Sequence, residues 1–323
     1  MIVPEYWAEA KQRTHINGRQ ITIQRFGWSD ISEADALSNA QSRVAEAIQR
    51  VETGEKVRKR DHKLSYNGAE GLPIREEIIS RHGDAVITRN VYGALCLNTP
   101  DVLFADIDFA REAEFSLYII SIALIAAIAA FITLPHSWGQ FLTILVVASL
   151  LLSSTLAHLL FKIKWSLSGG ENHCLHVIHK VAESHPDWHL RLYKTPMGYR
   201  ILVMHDTFNP RDDTTLNFLN KIHADPVYTR MCQNQNCFRA RISPKPWRIG
   251  MDRLKPRPGV WPIKQIHMAT RRQWVANYDK ASRDYASCRF LEKIGSDLVN
   301  PRAEEIRQIH DAYCKTDSDL KLA

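Results

Sequence analysis

The sequence lacks charged side chains over one long stretch, although charges are dense elsewhere in the chain. Of its 323 residues, 42 are Lys or Arg and 35 are Asp or Glu, yet none of these lies between Phe115 and Phe161. A stretch of this length exceeds one membrane span and suits two spans of ~20 residues joined by a tight turn. Pro135 would end the first helix. We therefore predict transmembrane helices near residues 115–134 and 141–161.

A polar stripe is also absent from this stretch, whereas a core helix of a soluble protein usually keeps one. The alternative, a buried helical hairpin inside a large soluble core, is disfavoured for that reason. The turn between the spans lacks Lys and Arg, while Arg111, Lys162 and Lys164 flank the hairpin. The positive-inside rule then predicts an integral protein of the plasma or inner membrane with both termini in the cytoplasm. The spans lie mid-chain, so they are not a cleavable signal peptide.

The six cysteines lack the dense spacing of a disulfide framework, which agrees with a reducing compartment. Two patterns could suggest a metal: the pair Cys232 and Cys237, and the repeat His173, His176 and His179. A structural zinc site needs four converging ligands, and the sequence does not indicate which residues would complete either set. Buried thiols and a polar helix face are the simpler interpretation.

No internal repeat is present, so the fold must be inferred from local patterns. Alternating apolar residues and turn signals predict strands over residues 19–26, 85–98, 101–109, 188–195 and 198–205. Amphipathic patterns, with Ser32 and Asn300 among the expected N-caps, predict helices over residues 32–54, 174–185, 212–224, 269–293 and 301–314. Residues 225–268 are expected to be irregular.

This order predicts one α+β domain interrupted by the membrane hairpin. Residues 1–110 and 165–323 would be its two halves, with residues 111–164 as the hairpin. We expect a single mixed or antiparallel sheet, in which the strand at 102–109 is central and pairs with the strand near 199–205.

Two carboxylates stand inside the apolar strand "LFADIDF". Alternate side chains of a strand share a face, so Asp106 and Asp108 project together, about 7 Å apart along the strand. Such a pair can hold two divalent cations that orient phosphate oxygens for an in-line displacement. The alternative is a solvated polar face at the end of a strand.

Basic residues accumulate in two places. Lys194 and Arg200 flank a turn that contains Thr195 and Gly198, which could hold phosphates or be an ordinary hairpin. Between residues 239 and 272 there are ten Lys or Arg and a single acid, with tryptophans interleaved. The candidate phosphate-binding residues of this segment are Arg239, Arg241, Lys245 and Arg248. Basic groups with aromatic platforms suit nucleotides or single strands, and also an anionic lipid surface.

The order of these motifs resembles the archaeo-eukaryotic primase superfamily. Asp106 and Asp108 match its first motif, a strand-borne pair of acids. "TPMGYR" resembles its second motif, with Arg200 where the family has His. Asp225 follows as the third acid, and "RARISPKPWR" resembles a nucleotide-phosphate segment. The resemblance implies an RRM-like sheet and Mg²⁺ or Mn²⁺ on Asp106, Asp108 and Asp225.

Three functional hypotheses follow. The first is a membrane-anchored, primase-like protein that binds nucleotides or nucleic acid such as DNA, with metal-dependent nucleotidyl transfer as its reaction. The second is a non-catalytic membrane protein whose basic cytoplasmic domain binds nucleic acid, anionic lipid or a protein partner; the net charge of +7 and the pI of about 9.1 agree with it. The third, a nucleotide-sugar glycosyltransferase, is disfavoured because no doubly wound βαβ series precedes the two acids.

Overall fold

The computed structural model describes residues 3–16, 18–61, 72–109, 113–133, 137–257 and 261–323. The chain divides into two compact units. The larger unit combines Met1–Ile107 with Ala182–Ala323, and the smaller unit is Asp108–Val181. Sequence from before and after the apolar stretch therefore folds into one unit.

Twelve strands and eight α-helices are formed by the described residues. The strands are β1 (Tyr6–Ile16), β2 (Arg19–Ser29), β3 (Glu77–His82), β4 (Ala85–Arg89), β5 (Leu95–Thr99), β6 (Phe104–Asp108), β7 (His189–Thr195), β8 (Gly198–Val203), β9 (Phe238–Arg241), β10 (Tyr285–Ala286), β11 (Arg289–Gly295) and β12 (Lys321–Leu322). The helices are α1 (Glu33–Glu52), α2 (Phe115–Thr133), α3 (Trp138–Leu167), α4 (Gly170–Glu183), α5 (Asp213–Lys221), α6 (Pro226–Gln235), α7 (Met268–Ala281) and α8 (Pro301–Cys314). The predicted α+β class with antiparallel sheets is confirmed.

The strands form two four-stranded sheets and two small pairs. Sheet I has the order β11-β7-β8-β6, and sheet II has the order β3-β4-β5-β9. Each sheet takes strands from both sides of the apolar stretch. The pair β1-β2 is a long antiparallel hairpin, and β10-β12 is a short parallel pair.

The expectation of a single sheet with a central strand at 102–109 is wrong in both respects. The strand β6 does neighbour β8, and the amide of Val203 donates to the carbonyl of Leu103 at 3.0 Å, but β6 lies at the edge of sheet I. The apolar character of β6 arises from coverage of both its faces, because Phe104, Ala105 and Ile107 are all buried. Burial alone therefore does not reveal whether a strand is central.

Three local predictions also need correction. Residues 85–98 form the hairpin β4–β5 instead of one strand, because the Asn90 side chain accepts hydrogen bonds from the amides of residues 92–94 and turns the chain. The segment 225–268 contains α6 and β9, with Pro226 opening the helix. The helix predicted over 269–293 ends at Ala281, and β11 follows.

The helix α1 packs closely on β2. Ser32 is its N-cap and accepts from the amide of Asp35, as the sequence indicates, while the Asp35 carboxylate accepts from Ser29 at 2.6 Å. A Cβ on Gly27 of β2 would lie 2.1 Å from the carbonyl oxygen of Ala36. The absence of a side chain at residue 27 thus allows the helix backbone to approach the strand.

The smaller unit contains two helices that are long and apolar enough to cross a membrane. Only 22% of the apolar window of α2 and 6% of that of α3 is buried, so most of these side chains face outward, unlike those of a core helix. The second helix extends beyond the predicted 141–161 to Trp138–Leu167 because the Ser137 side chain caps its N-terminus. Of the predicted turn and flanks, Pro135, His136 and Arg111 lie outside the described residues.

Candidate functional site

The carboxylate of Asp106 is held by a buried arginine from the neighbouring strand. Arg200 Nε donates to Asp106 Oδ1 at 2.6 Å, and Nη2 donates to Oδ2 at 2.9 Å. Arg200 is only 2% exposed. Parallel bonds of this kind occupy both carboxylate oxygens and are among the strongest in proteins. A metal at Asp106 would have to share these oxygens with Arg200 or displace it.

Arg200 links this strand pair to the C-terminal part of the chain. Its Nη1 donates to the backbone carbonyl of Arg241 at 2.9 Å and lies 3.3 Å from His310 Nε2. Burial alone would lower the pKa of Arg200, but the charge of Asp106 and its hydrogen bonds outweigh burial and raise that pKa. The guanidinium is therefore a permanent buried cation between β6, β9 and α8.

The other two acids of the predicted metal set have separate environments. The carboxylate of Asp225 caps α6 by accepting from the amide of Val227 at 2.9 Å. Its backbone amide donates to the carbonyl of Asp106 at 3.0 Å, so the two residues are neighbours through their backbones. Asp108 is exposed at the end of β6. A metal role for the three acids stays a prediction.

The predicted phosphate-binding residues are dispersed over the larger unit. Lys194 Nζ lies 4.6 Å from the centroid of the Tyr199 ring. The buried Thr195 accepts from the amide of Met197 and pairs with Gly198 at the tight β7–β8 turn. Arg239 is paired with Glu76 through bonds of 2.6 and 2.8 Å in sheet II, so its guanidinium is engaged inside the protein.

A basic and aromatic surface is formed by Tyr92, Lys245, Trp247 and Arg253, which we call the Trp247 patch. The Trp247 ring is 44% exposed. Lys245 Nζ lies 5.6 Å and the guanidinium carbon of Arg253 5.0 Å from its centroid, within cation–π range. The Tyr92 ring packs edge-on against it at 5.2 Å.

The local sequence explains this surface. Pro246 opens a short 3₁₀ turn, Pro246–Ile249, that also contains Trp247 and the half-buried Arg248. Gly250 ends the turn at φ 74°, a conformation that favours glycine. Leu254 is buried and its amide donates to the carbonyl of Tyr92 at 3.0 Å, which holds the loop on the hairpin β4–β5. Lys245 is one of the phosphate-binding residues predicted from the sequence, and Trp247 is one of the tryptophans interleaved with the basic residues of this segment.

A buried cluster of Cys288, His310 and Cys314 was not found from the sequence. One ligand atom from each residue lies within 4.8 Å of the other two, and all three side chains are fully buried. His310 and Cys314 lie one turn apart on α8. Cys288 precedes β11, and the amide of its neighbour Ser287 donates to the carbonyl of Cys314 at 3.0 Å. The signal available in the sequence was the i, i+4 spacing of His310 and Cys314.

Hydrogen bonds fix the imidazole of His310. Its Nδ1 lies 2.9 Å from Asp311 Oδ1, which leaves Nε2 directed at Cys288 Sγ, 3.8 Å away. The rings of Phe104 and Tyr193 pack on the imidazole at 5.2 and 4.9 Å. The cluster is thus a polar group inside an aromatic shell.

The two thiols of the cluster differ in acidity. Burial would raise the pKa of Cys288, but the hydrogen bond from Cys314 and the neighbouring His310 and Arg200 outweigh it and hold that pKa well below its ordinary value. Burial and the Cys288 thiolate raise the pKa of Cys314. One thiolate among buried cationic groups is a strong potential metal ligand.

The metal-like patterns noted in the sequence do not join this cluster. Cys232 and Cys237 are both buried near the C-terminal end of α6, and burial raises the pKa of Cys237 to about 12. Among the described residues, Cys288, His310 and Cys314 are the group whose ligand atoms converge, and the α4 histidines are not part of such a group.

A cavity of about 410 Å³ lies on another side of α8. Its lining includes Ser243, Asp279, Arg283, Tyr313 and Lys315, and none of the predicted site residues. Lys315 Nζ donates to the carbonyls of residues 282, 283 and 285, so its charge is used within the fold.

Comparison of the chain with protein-family models, curated proteins and solved structures found no match.

Proposed function

We propose that the protein is a membrane-anchored, non-catalytic binder of single-stranded nucleic acid. The observation that carries this proposal is the exposed Trp247 ring with Lys245 and Arg253 beside it. An exposed aromatic face stacks on a base of any sequence, and adjacent cations neutralise the phosphates. The net charge of +7 supports attraction of a polyanion over a distance.

The ion pair between Asp106 and Arg200 favours a binding function over a catalytic one. A pair of metal ions requires carboxylate oxygens that are free to coordinate, whereas both oxygens of Asp106 accept from Arg200. Arg200 occupies the place where the primase-like motif has His. The same arginine would hold the first acid of that motif in an ion pair, so the chain would keep the scaffold and lose the metal site.

Metal-dependent nucleotidyl transfer is the second candidate function. It is favoured by the hydrogen bond from the amide of Asp225 to the carbonyl of Asp106, which keeps the third acid of the primase-like motif beside the first. In this reaction, Mg²⁺ or Mn²⁺ would have to share the oxygens of Asp106 with Arg200 or replace it. Incorporation of labelled nucleotide by the wild type, lost in Asp106→Asn, would favour this candidate over the first.

The anchor in this proposal is the hairpin of α2 and α3, inserted in the bilayer with both termini in the cytoplasm. The outward-facing apolar side chains of both helices support insertion, and Lys162 and Lys164 at the end of the second span support the orientation. A cysteine introduced at Ser137 should react with a membrane-impermeant reagent in intact cells. If that cysteine did not react but a cysteine near either terminus did, the protein would have the opposite orientation.

Binding is tested by fluorescence anisotropy of a labelled single-stranded oligonucleotide with the full-length protein in detergent. Base stacking on an aromatic side chain contributes about 1–3 kcal/mol, so Trp247→Ala should weaken binding roughly 5- to 150-fold. Lys245→Ala with Arg253→Ala should reduce the slope of log K against log salt by about 1.4, since each single-strand phosphate contact contributes ~0.7.

The matched control is Lys11→Ala with Arg13→Ala on β1, which removes the same charge from two exposed residues elsewhere in the unit. It should leave the affinity nearly unchanged. Equal losses in both double variants would mean that net charge alone attracts the oligonucleotide and that the Trp247 patch is not its site.

A further inference from the structure

We infer that Cys288, His310 and Cys314 form a binding site for one zinc ion that stabilises the fold. The three ligand atoms lie within 4.8 Å of one another without an ion between them. In tetrahedral coordination, bonds of about 2.3 Å to sulfur and 2.0–2.1 Å to nitrogen separate sulfur and nitrogen by about 3.6 Å. The distance from Cys288 Sγ to His310 Nε2 is 3.8 Å, so little movement is needed.

The second shell has the arrangement that zinc sites use. A metal-bound histidine usually donates its other N–H to a carboxylate or carbonyl, which fixes the ring and its tautomer. Here Asp311 Oδ1 accepts from His310 Nδ1 at 2.9 Å. Nε2 therefore carries the lone pair. It faces Cys288 Sγ at 3.8 Å and Arg200 Nη1 at 3.3 Å, so a zinc ion on Nε2 would replace its contact with Arg200.

Charge balance also favours a divalent cation. Two thiolates neutralise Zn²⁺, and the adjacent Arg200 is already neutralised by Asp106. A fully buried site with no net charge avoids the large cost of an uncompensated charge. The guanidinium of Arg200 can donate to a zinc-bound thiolate, an interaction that stabilises such sites.

Two other roles of the cluster fit the structure less well. The series Cys288, His310 and Asp311 has the order of a nucleophile, base and orienting acid, but Cys288 and His310 are 0% exposed and no substrate could reach them. A disulfide between Cys288 and Cys314 would compete with metal binding, and it is an outcome that the experiment below distinguishes.

The site would join parts of the chain that are distant in sequence. Cys288 precedes strand β11 of sheet I, while His310 and Cys314 belong to α8. The ion would clamp this strand against the helix at the point where Arg200 approaches from β8. A structural zinc ion is four-coordinate, so besides these three protein ligands it would take a water molecule as its fourth ligand.

Zinc is measured by mass spectrometry of the purified full-length protein. We expect about one zinc per chain in the wild type and in Cys174→Ser, a control that removes a half-buried cysteine of α4. Cys288→Ser and His310→Asn should lose the zinc. A double variant of Cys232 and Cys237 that loses zinc while Cys288→Ser retains it would overturn the assignment.

A second measurement uses only the wild type, so its result does not depend on whether a variant protein folds. Addition of Co²⁺ to the metal-stripped wild type should give the intense visible and near-ultraviolet bands of cobalt bound tetrahedrally to thiolates. Removal of zinc by a chelator should lower the melting temperature. Folded wild type that contains no zinc and gives no cobalt bands would overturn the proposal, as would a Cys288–Cys314 disulfide in protein purified without oxidant.

Discussion

At the scale of single residues, Arg200 shapes the site more than the acids do. It is 2% exposed and contacts Asp106, the Arg241 carbonyl and His310. A buried arginine with these contacts keeps its full charge, and Asp106 is the counter-ion that makes its burial tolerable. The stability of this part of the fold therefore depends on Asp106.

Asp106→Asn should destabilise the protein by about 3–5 kcal/mol, because breaking a buried pair leaves an uncompensated charge. Thermal unfolding of the detergent-solubilised protein measures this change. Asp206→Asn, which alters an exposed acid beyond β8, is the control and should change stability by less than about 0.5 kcal/mol. Mn²⁺ should raise the melting temperature of neither protein. If Mn²⁺ raised the melting temperature of wild type and Asp206→Asn but not that of Asp106→Asn, the metal-binding role of Asp106 would be favoured instead.

Asp311 should give the fold a defined dependence on pH. Burial would raise its pKa, but the hydrogen bond with His310 and the charges around it outweigh burial and lower that pKa. The folded-state pKa then lies below the unfolded value of about 3.9. Stability from the carboxylate is fully present above that value and is lost as pH falls through the folded-state pKa.

We therefore expect Asp311→Asn to cost about 3–5 kcal/mol at pH 7, and the difference from wild type to shrink below about pH 4. Denaturant unfolding at several pH values measures it. Glu304→Gln, which breaks the partly exposed pair with Arg307, should cost about 1 kcal/mol or less. An Asp311→Asn penalty that grows as the pH falls would contradict this explanation.

The sequence revealed individual site residues better than their contacts. Strand periodicity placed Asp106 among the candidate residues, and the basic composition placed Lys245 there. The sequence also predicted that the strand of Asp106 pairs with the strand of Arg200. A buried ion pair between these side chains, almost a hundred positions apart, depends on packing that no local pattern shows. The cluster of Cys288, His310 and Cys314 was missed for the same reason, since its ligands converge only when α8 packs against the segment before β11.

At the scale of elements, the N-caps and the hairpin β7–β8 were predicted close to their observed bounds, whereas β10, β11 and β12 were missed. The N-caps Ser32 and Asn300 begin α1 and α8 at the predicted residues. The strand β11 was predicted as helix because "RFLEKIG" contains good helix formers. Its pairing with β7 overrides that propensity and gives alternating half-buried and exposed side chains.

The close packing of α1 on β2 supplies a prediction at this scale. Gly27→Ala would place a Cβ 2.1 Å from the carbonyl oxygen of Ala36 and 2.3 Å from the amide of Ala40. These are backbone atoms, so the helix must move. We expect the free energy of unfolding to fall by about 1–3 kcal/mol. Thr22→Ala on the same strand should cost less than about 1 kcal/mol. A Gly27→Ala protein as stable as wild type would show that the helix is not tightly packed.

At the scale of the whole molecule, two helices that are long and apolar enough to cross a membrane interrupt an α+β unit that is built from both sides of them. Sheets I and II each use strands from before and after α2 and α3. The interruption is visible in the sequence as an absence of charge. The sequence also predicted that segments from both sides of the interruption share a sheet and that β6 pairs with β8. The division into two sheets was missed, because it depends on contacts between distant segments. In the proposed function, this arrangement would keep the Trp247 patch permanently on a membrane-bound protein.

In the proposed function, one molecule both spans the bilayer and binds single strands through the Trp247 patch. Co-flotation tests it most directly: the full-length protein is reconstituted in uncharged phosphatidylcholine vesicles and mixed with a labelled oligonucleotide in a density gradient. We predict that wild type floats with the vesicles and carries the oligonucleotide. The Lys245→Ala, Trp247→Ala, Arg253→Ala triple variant should float without it. A protein that does not float, or a triple variant that carries as much oligonucleotide as wild type, would contradict the account.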